Sequence, residues 1–368
     1  MFRTSLAVVL GFASLLPAQD ETFAALQLRF RKEAQQLTVL GLPSRAEQDQ
    51  LLKRHIGELA AFVARARGDD QWNGRLMLAD LQLVAGNRDA ARQTLAAIDP
   101  ELAPPLLLVS AAAMAPHVGL PDRREPWLEK ALARPAPTED RLAMARLITL
   151  NLYDAKRGDA VFAAELAAAK DDETRALVRF HKADTWRDRE DLPDNAGWEE
   201  LEKLAKDLPQ TYWGKVATDR FRAVQMRNGD PAIDFVAKTR DGREVSLRGA
   251  AGKVLVMAFW VVDDRDNAAL WAELRALQKQ HGEQVQIVAF NLDRELEMVD
   301  KAITEQRIDV PVVADGKGVL GDVALRWFTE GPGIHVVGKD GKVAGLRMFL
   351  GTADGRREFT DTVAAALR

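Results

Sequence analysis

The chain of 368 residues contains no cysteine. That absence excludes every chemistry that begins with a thiolate, including thiol–disulfide exchange, peroxide reduction and zinc–thiolate coordination. It also removes disulfide support and any lipid attachment through cysteine. Histidine is scarce: His55, His117, His181, His281 and His335 are all there are, and none stands at ligand spacing from another. No zinc signature follows from them. The formal net charge is −4, with acids and bases interspersed. A nucleic-acid surface needs a basic stripe to follow a phosphate backbone, and there is none. After residue 228 the only serine is Ser246, with no His-Asp partners in view, so no hydrolase triad is expected. Gly316-Lys317-Gly318 does not fit phosphate-loop spacing. No cofactor is implied.

What is present is a globular composition, 47% apolar, over a length sufficient for two or three domains. Residues 1–18 carry one basic residue, then an apolar run, then Ala18. This is the pattern of a secretory signal peptide, and the run is too short to span a bilayer comfortably. The expectation is a soluble exported protein, periplasmic or secreted, with no transmembrane segment after cleavage. Its stability outside the cytoplasm rests on packing alone.

Residues 20–225 are rich in Ala and Leu at helical spacing. Phe23, Leu26 and Phe30 share one face of a first helix. Ser44-Arg45-Ala46-Glu47 is a capping box. It precedes a helix with Leu52, Ile56, Leu59 and Val63 on one face, which Gly68-Asp69-Asp70 is expected to close. The segment from Arg75 to Pro100 resembles a tetratricopeptide unit, with Leu78-Ala79, Gly86, Ala91 and Leu95 at that motif's relative spacings. A second glycine turn is expected at Gly158-Asp159-Ala160. An irregular helical bundle satisfies the same pattern. Trp186, Trp198 and Trp213 are expected to fill core.

At Asn228-Gly229-Asp230-Pro231 the composition shifts towards β-branched strands, which makes 229–368 a separate domain by expectation. The stretch that organises this half is Val254–Val262, an apolar run long enough for a strand buried on both faces. It turns polar at Asp263–Asn267. Asp266 or Asn267 can then cap a helix carrying Leu270, Leu274 and Leu277.

This strand, loop and helix resemble the TlpA-like and AhpC/TSA-like thioredoxin superfamily, which reads F-W-A-T-W-C-x-x-C-x-x-E-x-P-x-L at this place. Phe259-Trp260 and Leu274 match in register, and the two cysteine positions fall on Asp264 and Asn267. Gly229-Asp230-Pro231-Ala232-Ile233-Asp234-Phe235 resembles the family's G-x-P-A-P-D-F. Val310-Pro311-Val312-Val313 with Asp315-Gly316 resembles its F-P-V-L-x-D-x-x-G. Gly331-Pro332-Gly333-Ile334-His335-Val336-Val337 is similar to its G-x-P-T-T-F-L-I, where the proline is cis and faces the active loop; the spacing of Gly to Pro differs by one here. The resemblance implies an α/β thioredoxin-like sandwich with a central mixed sheet, following an all-α region.

It does not imply the family's activity. Asp264 and Asn267 cannot attack or hold sulfur, and Val261-Val262-Asp263 replaces the peroxiredoxin's Thr and Pro. What remains is a degenerate loop (Trp260, Asp263, Asp264, Asp266, Asn267) and a groove (Gly331, Pro332, Gly333), which in redox-active relatives holds an extended polypeptide. The expectation is therefore a non-catalytic module that binds a protein or extended peptide partner by strand addition. The alternative is a divergent enzyme or a hard-cation site built on the acidic loop. That loop lacks the EF-hand glycine and closing glutamate, and no metal ligands are assigned. His335 is expected as hydrogen-bonded filler.

Overall fold

The computed structural model describes residues 21–39 and 44–368. The expected signal peptide, and Gly41-Leu42-Pro43, which by its glycine and proline is expected to end the first helix, lie outside the described residues.

Eleven helices come first among the described residues: α1 (Phe23–Val39), α2 (Arg45–Arg65), α3 (Gly68–Val84), α4 (Arg88–Ala96), α5 (Pro105–Met114), α6 (Pro121–Ala133), α7 (Thr138–Leu150), α8 (Ala155–Ala168), α9 (Asp172–Arg187), α10 (Ala196–Asp207) and α11 (Tyr212–Gln225). The capping box at the start of α2 forms, with the Glu47 backbone N–H donating to the Ser44 hydroxyl and the Glu47 carboxylate accepting from the Ser44 N–H. Two expectations fail locally. Gly68 opens α3 and does not close α2, because Ala66 already ends that helix with an extended backbone. Gly158 is not a turn but an interior position of α8. A Cβ there would sit 1.9 Å from Thr149 Oγ1, so glycine lets α8 lie directly on α7. Gly86 is a turn, with φ +76°.

Sequential helices pack as hairpins, α3 on α4, α5 on α6, α7 on α8 and α9 on α10. The odd-numbered helices from α1 to α11 also touch one another in succession. The result is a layered array, each hairpin burying its apolar face on the next.

The second part is a thioredoxin-like domain. A hairpin, β1 (Val236–Lys238) and β2 (Glu244–Ser246), turns at Gly242 with φ +85°. It is followed by β3 (Val254–Trp260), α12 (Asn267–His281), β4 (Val285–Asn291), α13 (Leu296–Glu305), β5 (Val312–Val313), α14 (Asp322–Arg326), β6 (Gly333–Val337), β7 (Val343–Met348) and α15 (Ala353–Leu367). The five-stranded sheet runs β5-β4-β3-β6-β7, with β3, β4 and β5 parallel and β6 and β7 antiparallel.

β3 is central and buried at all seven positions, as its unbroken apolar run requires. Val254, Val256, Ala258 and Trp260 face a core shared with α12, α13 and α15. Leu255, Met257 and Phe259 face the other side, with Phe235, Phe290 and Trp327.

The helical array grips this domain on both faces of the sheet. Ala223 and Met226, at the end of α11, join the core that contains Phe259. Leu28 of α1 packs against the core that contains Trp260, and Lys32 Nζ lies 3.6 Å from Glu305 Oε2 at the end of α13. Leu325 of α14 is in turn part of the core formed by α9, α10 and α11.

Candidate functional site

The loop after β3 carries the positions that matter, and its shape is set by side chains. Asn267 is the first residue of α12 and is buried. Its Nδ2 donates to the carbonyls of Val261 (2.9 Å) and Val262 (3.1 Å), which fastens the end of the strand to the start of the helix. The Asp266 backbone N–H donates to Asp264 Oδ1 at 2.9 Å. Asp266 occupies the position just before the helix but makes no side-chain cap, so neither expected capping residue acts as one. Gly351 approaches the Asp266 carboxylate so closely that a Cβ would sit 2.4 Å from Oδ2.

A second clamp comes from the end of β4, and sequence reading missed it. Asp293 Oδ2 accepts from the Val262 N–H at 2.7 Å and from Asn291 Nδ2 at 2.8 Å. Asn291 Oδ1 accepts from the Asp293 N–H at 2.9 Å. The available signal was Asn291-Leu292-Asp293 at the carboxyl end of an apolar strand, where α/β sheets place their sites.

The candidate residues do not all meet. Trp260 is not part of any groove: it is fully buried and packs edge-on to Trp271, with ring centroids 5.0 Å apart. The side-chain direction decides this, because Trp260 shares its sheet face with Val254, Val256 and Ala258. Asp263 lies on the β4 side of the loop. Burial pushes its carboxyl above the ordinary value, opposed by the positive charge of Arg31 and reinforced by Asp293, with Lys32 and Glu295 contributing less. Asp264, Asp266 and Asn267 do meet Pro332 and Gly333, around a cavity of only about 30 Å³ that Phe259 floors. That volume suits a water molecule and little else. No three His, Asp or Glu side chains converge as a metal site among the described residues.

Pro332 is trans, since no cis peptide occurs among the described residues. The cis geometry of the resembling family is therefore not reproduced, in keeping with the shifted Gly-to-Pro spacing. Gly331 makes no hydrogen bond through its N–H or its carbonyl among the described residues, and β6 begins only at Gly333.

Beyond Gly331 the groove opens into a larger cavity of about 250 Å³, lined by Phe328, Thr329, Glu330, Pro332, Arg347 and Phe349 among others. Phe328 and Arg347 both take left-handed backbone conformations, with φ +49° and +52°. Non-glycine residues pay of order 1–3 kcal/mol for such strain, which persists where surrounding structure holds it.

His335 lies beneath this cavity. Its Nδ1 accepts from the Arg347 backbone N–H at 3.4 Å, and its Nε2 lies 3.3 Å from Thr329 Oγ1. It is the buried, hydrogen-bonded residue that was expected. Burial, with the positive charge of Arg347, pushes its imidazolium down to about 4.

The cavity ends against the helical array. Trp198 of α10 meets Phe328 edge-on at 5.3 Å. The guanidinium carbons of Arg187 and Arg220 each lie 4.7 Å from the Phe328 ring centre. The same two arginines hold Glu330, at 3.1 Å from Arg187 and 3.3 Å from Arg220. Arg220 also pairs with Asp184 at 2.9 Å.

A parallel-then-antiparallel sheet with a helix launched from the end of its central strand defines a thioredoxin-like domain. Residues 228–345 match the model of the AhpC/TSA family. The chain is 26% identical over 115 residues to the thioredoxin-like protein YneN of Bacillus subtilis (strain 168), a match covering 30% of this chain and 68% of that protein. Among solved structures it is similar to a thiol:disulfide interchange protein DsbE from Chlorobium tepidum, at 23% identity and TM-score 0.35, covering 39% of this chain and 99% of that one. It is also similar to a thiol-disulfide oxidoreductase from Bacteroides fragilis NCTC 9343, at 20% identity and TM-score 0.32, covering 36% and 99%. Residues 228–345 thus lie in a thioredoxin-like domain that matches the AhpC/TSA model, in a chain without cysteine. No helix among the described residues is long and apolar enough to cross a membrane.

Proposed function

We propose that this chain is an exported binding protein that holds an extended polypeptide in the groove at Gly331-Pro332 and performs no thiol chemistry. The observation that carries this reading is the unpaired backbone of Gly331, which offers one donor and one acceptor to an incoming strand. The loop opposite supports it. Asn267, Asn291 and Asp293 lock the β3–α12 turn by hydrogen bonds, which gives the groove a fixed wall, and no thiol stands in it. Export rests on the signal-like pattern of residues 1–18.

The helical region supplies a second wall in this reading, as a tetratricopeptide-like array. The first helices of successive hairpins begin at Gly68, Pro105, Thr138 and Asp172, 37, 33 and 34 residues apart, close to the 34-residue period of such repeats.

The test exploits Gly331, where an added Cβ meets nothing within 4 Å. Gly331→Trp should leave the fold intact and fill the groove. With carboxymethylated, unfolded α-lactalbumin as the extended-chain probe, the substitution should weaken binding about tenfold or more, the loss expected when an interface centre is blocked. Equal binding by the two proteins would remove the groove as the site and point to the helical array.

A further inference from the structure

The cavity beyond Gly331 is bounded at Phe328 by the helical region and has an excess of positive charge around it. An extended chain laid along Gly331-Pro332 runs into Phe328, which is itself covered by Trp198, Arg187 and Arg220 of the helical region. The way onward past Phe328 is covered on that side, which suits a chain end better than a segment that must continue. Around Phe328 stand three arginines, Arg187, Arg220 and Arg347, against two carboxylates, Asp184 and Glu330. Arg187 and Arg220 hold those carboxylates; Arg347 has no acidic partner among the described residues. A cationic N-terminus would be repelled here and a carboxylate attracted.

The neutral donors agree. His335 accepts a backbone N–H at Nδ1, so the proton of its neutral ring is on Nε2 and is donated to Thr329 Oγ1. The Thr329 hydroxyl, with its acceptor side used, keeps its own hydrogen to donate at the cavity it lines. Phe328 and Phe349, the latter 58% exposed, give apolar surface for a side chain next to the carboxylate.

Building on the groove reading above, we infer that the Phe328–Arg347 cavity receives the free C-terminal carboxylate of an extended peptide whose last residue is apolar. Arg347 is the charged donor, the Thr329 hydroxyl a neutral one, and the rings of Phe328 and Phe349 bracket the terminal side chain. No residue here acts on the peptide, so the ligand leaves unchanged.

The experiment uses the whole protein and fluorescent peptides ending in Leu or Phe, each made with a free acid and with an amidated C-terminus. The wild type should bind the acid form about tenfold tighter than the amide, the scale of one charge-assisted contact. Arg347→Met should bring that ratio to about one while Thr329→Ser, which keeps the hydroxyl, should not. The ratio is insensitive to a uniform loss of folded protein. Equal affinity of acid and amide in the wild type, with binding still lost in Gly331→Trp, would overturn this inference and leave the groove reading standing. An acid preference that survives Arg347→Met would place the carboxylate elsewhere and also overturn it. Equal binding by 3-phenylpropionate alone would replace the peptide terminus with a small apolar acid. No binding of either peptide form would overturn both readings.

Discussion

Asn267 reaches back from the first turn of α12 to the carbonyl of Val261, 2.9 Å away, and ties the end of the central strand to the helix that follows it. In the resembling family this position holds the second cysteine of the redox pair. Here the same place in the fold is occupied by a group that donates hydrogen bonds and cannot transfer electrons. Asn267→Ala should destabilise the protein by roughly 1–3 kcal/mol, because two carbonyls lose a buried donor. Urea unfolding measures it, and a change under 0.5 kcal/mol would mean the loop is held by the Asp293 clamp alone.

The wild type should give no turnover in an insulin-reduction assay, since no thiolate exists to attack sulfur. Asp264 and Asn267 lie within one turn, with the Asn267 N–H donating to the Asp264 carbonyl at 3.2 Å. The double variant Asp264→Cys with Asn267→Cys should therefore close an intramolecular disulfide, seen as a mass loss of about 2 Da and the loss of both free thiols on oxidation. Two thiols that stay free under oxidant would show that the loop does not keep the family's geometry.

His335 makes stability depend on pH in a stated direction. The unfolded imidazole takes its proton near 6.5, whereas the folded one resists until about 4. Between those values the unfolded state binds more protons, so stability is full above about pH 6.5 and falls as pH drops towards 4, by on the order of 3–4 kcal/mol at most. His335→Gln should flatten that part of the profile. Parallel profiles for the two proteins would rule His335 out as its source.

The helical region and the thioredoxin-like domain should unfold together. Leu325 completes the core of α9, α10 and α11, and Ala223 and Met226 complete the core under Phe259, so neither part buries its apolar surface alone. Calorimetry should show one main transition. Two well-separated transitions would contradict a shared core.

The thioredoxin-like domain was legible because its signals are local. Val254–Val262 reads as a doubly buried strand from composition alone, and the shift at Asn228-Gly229-Asp230-Pro231 marks where the domain begins. Trp260, grouped with the loop by the motif match, ends β3 and faces the core, because a motif match gives position without direction; in a strand, direction follows from which neighbours share the face. Pro332 kept its place but not its cis bond. Asn291 and Asp293 were visible only as polar residues after a strand, and their partner, the Val262 N–H, is 31 residues away from Asp293. Arg347 carried no signal, since its significance arises from Phe328 and from helices far earlier in the chain. Gly158 read as a turn because helix crowding, which also demands glycine, leaves no mark in one sequence.

The most direct test of the central claim is hydrogen–deuterium exchange of the whole protein with and without a saturating free-acid peptide. The Gly331 amide is unpaired in the free protein and should exchange quickly, then slow sharply with its neighbours across residues 329–334 when the peptide is bound. Protection confined to residues 23–225, with 329–334 unchanged, would contradict the account and move the binding site to the helical array.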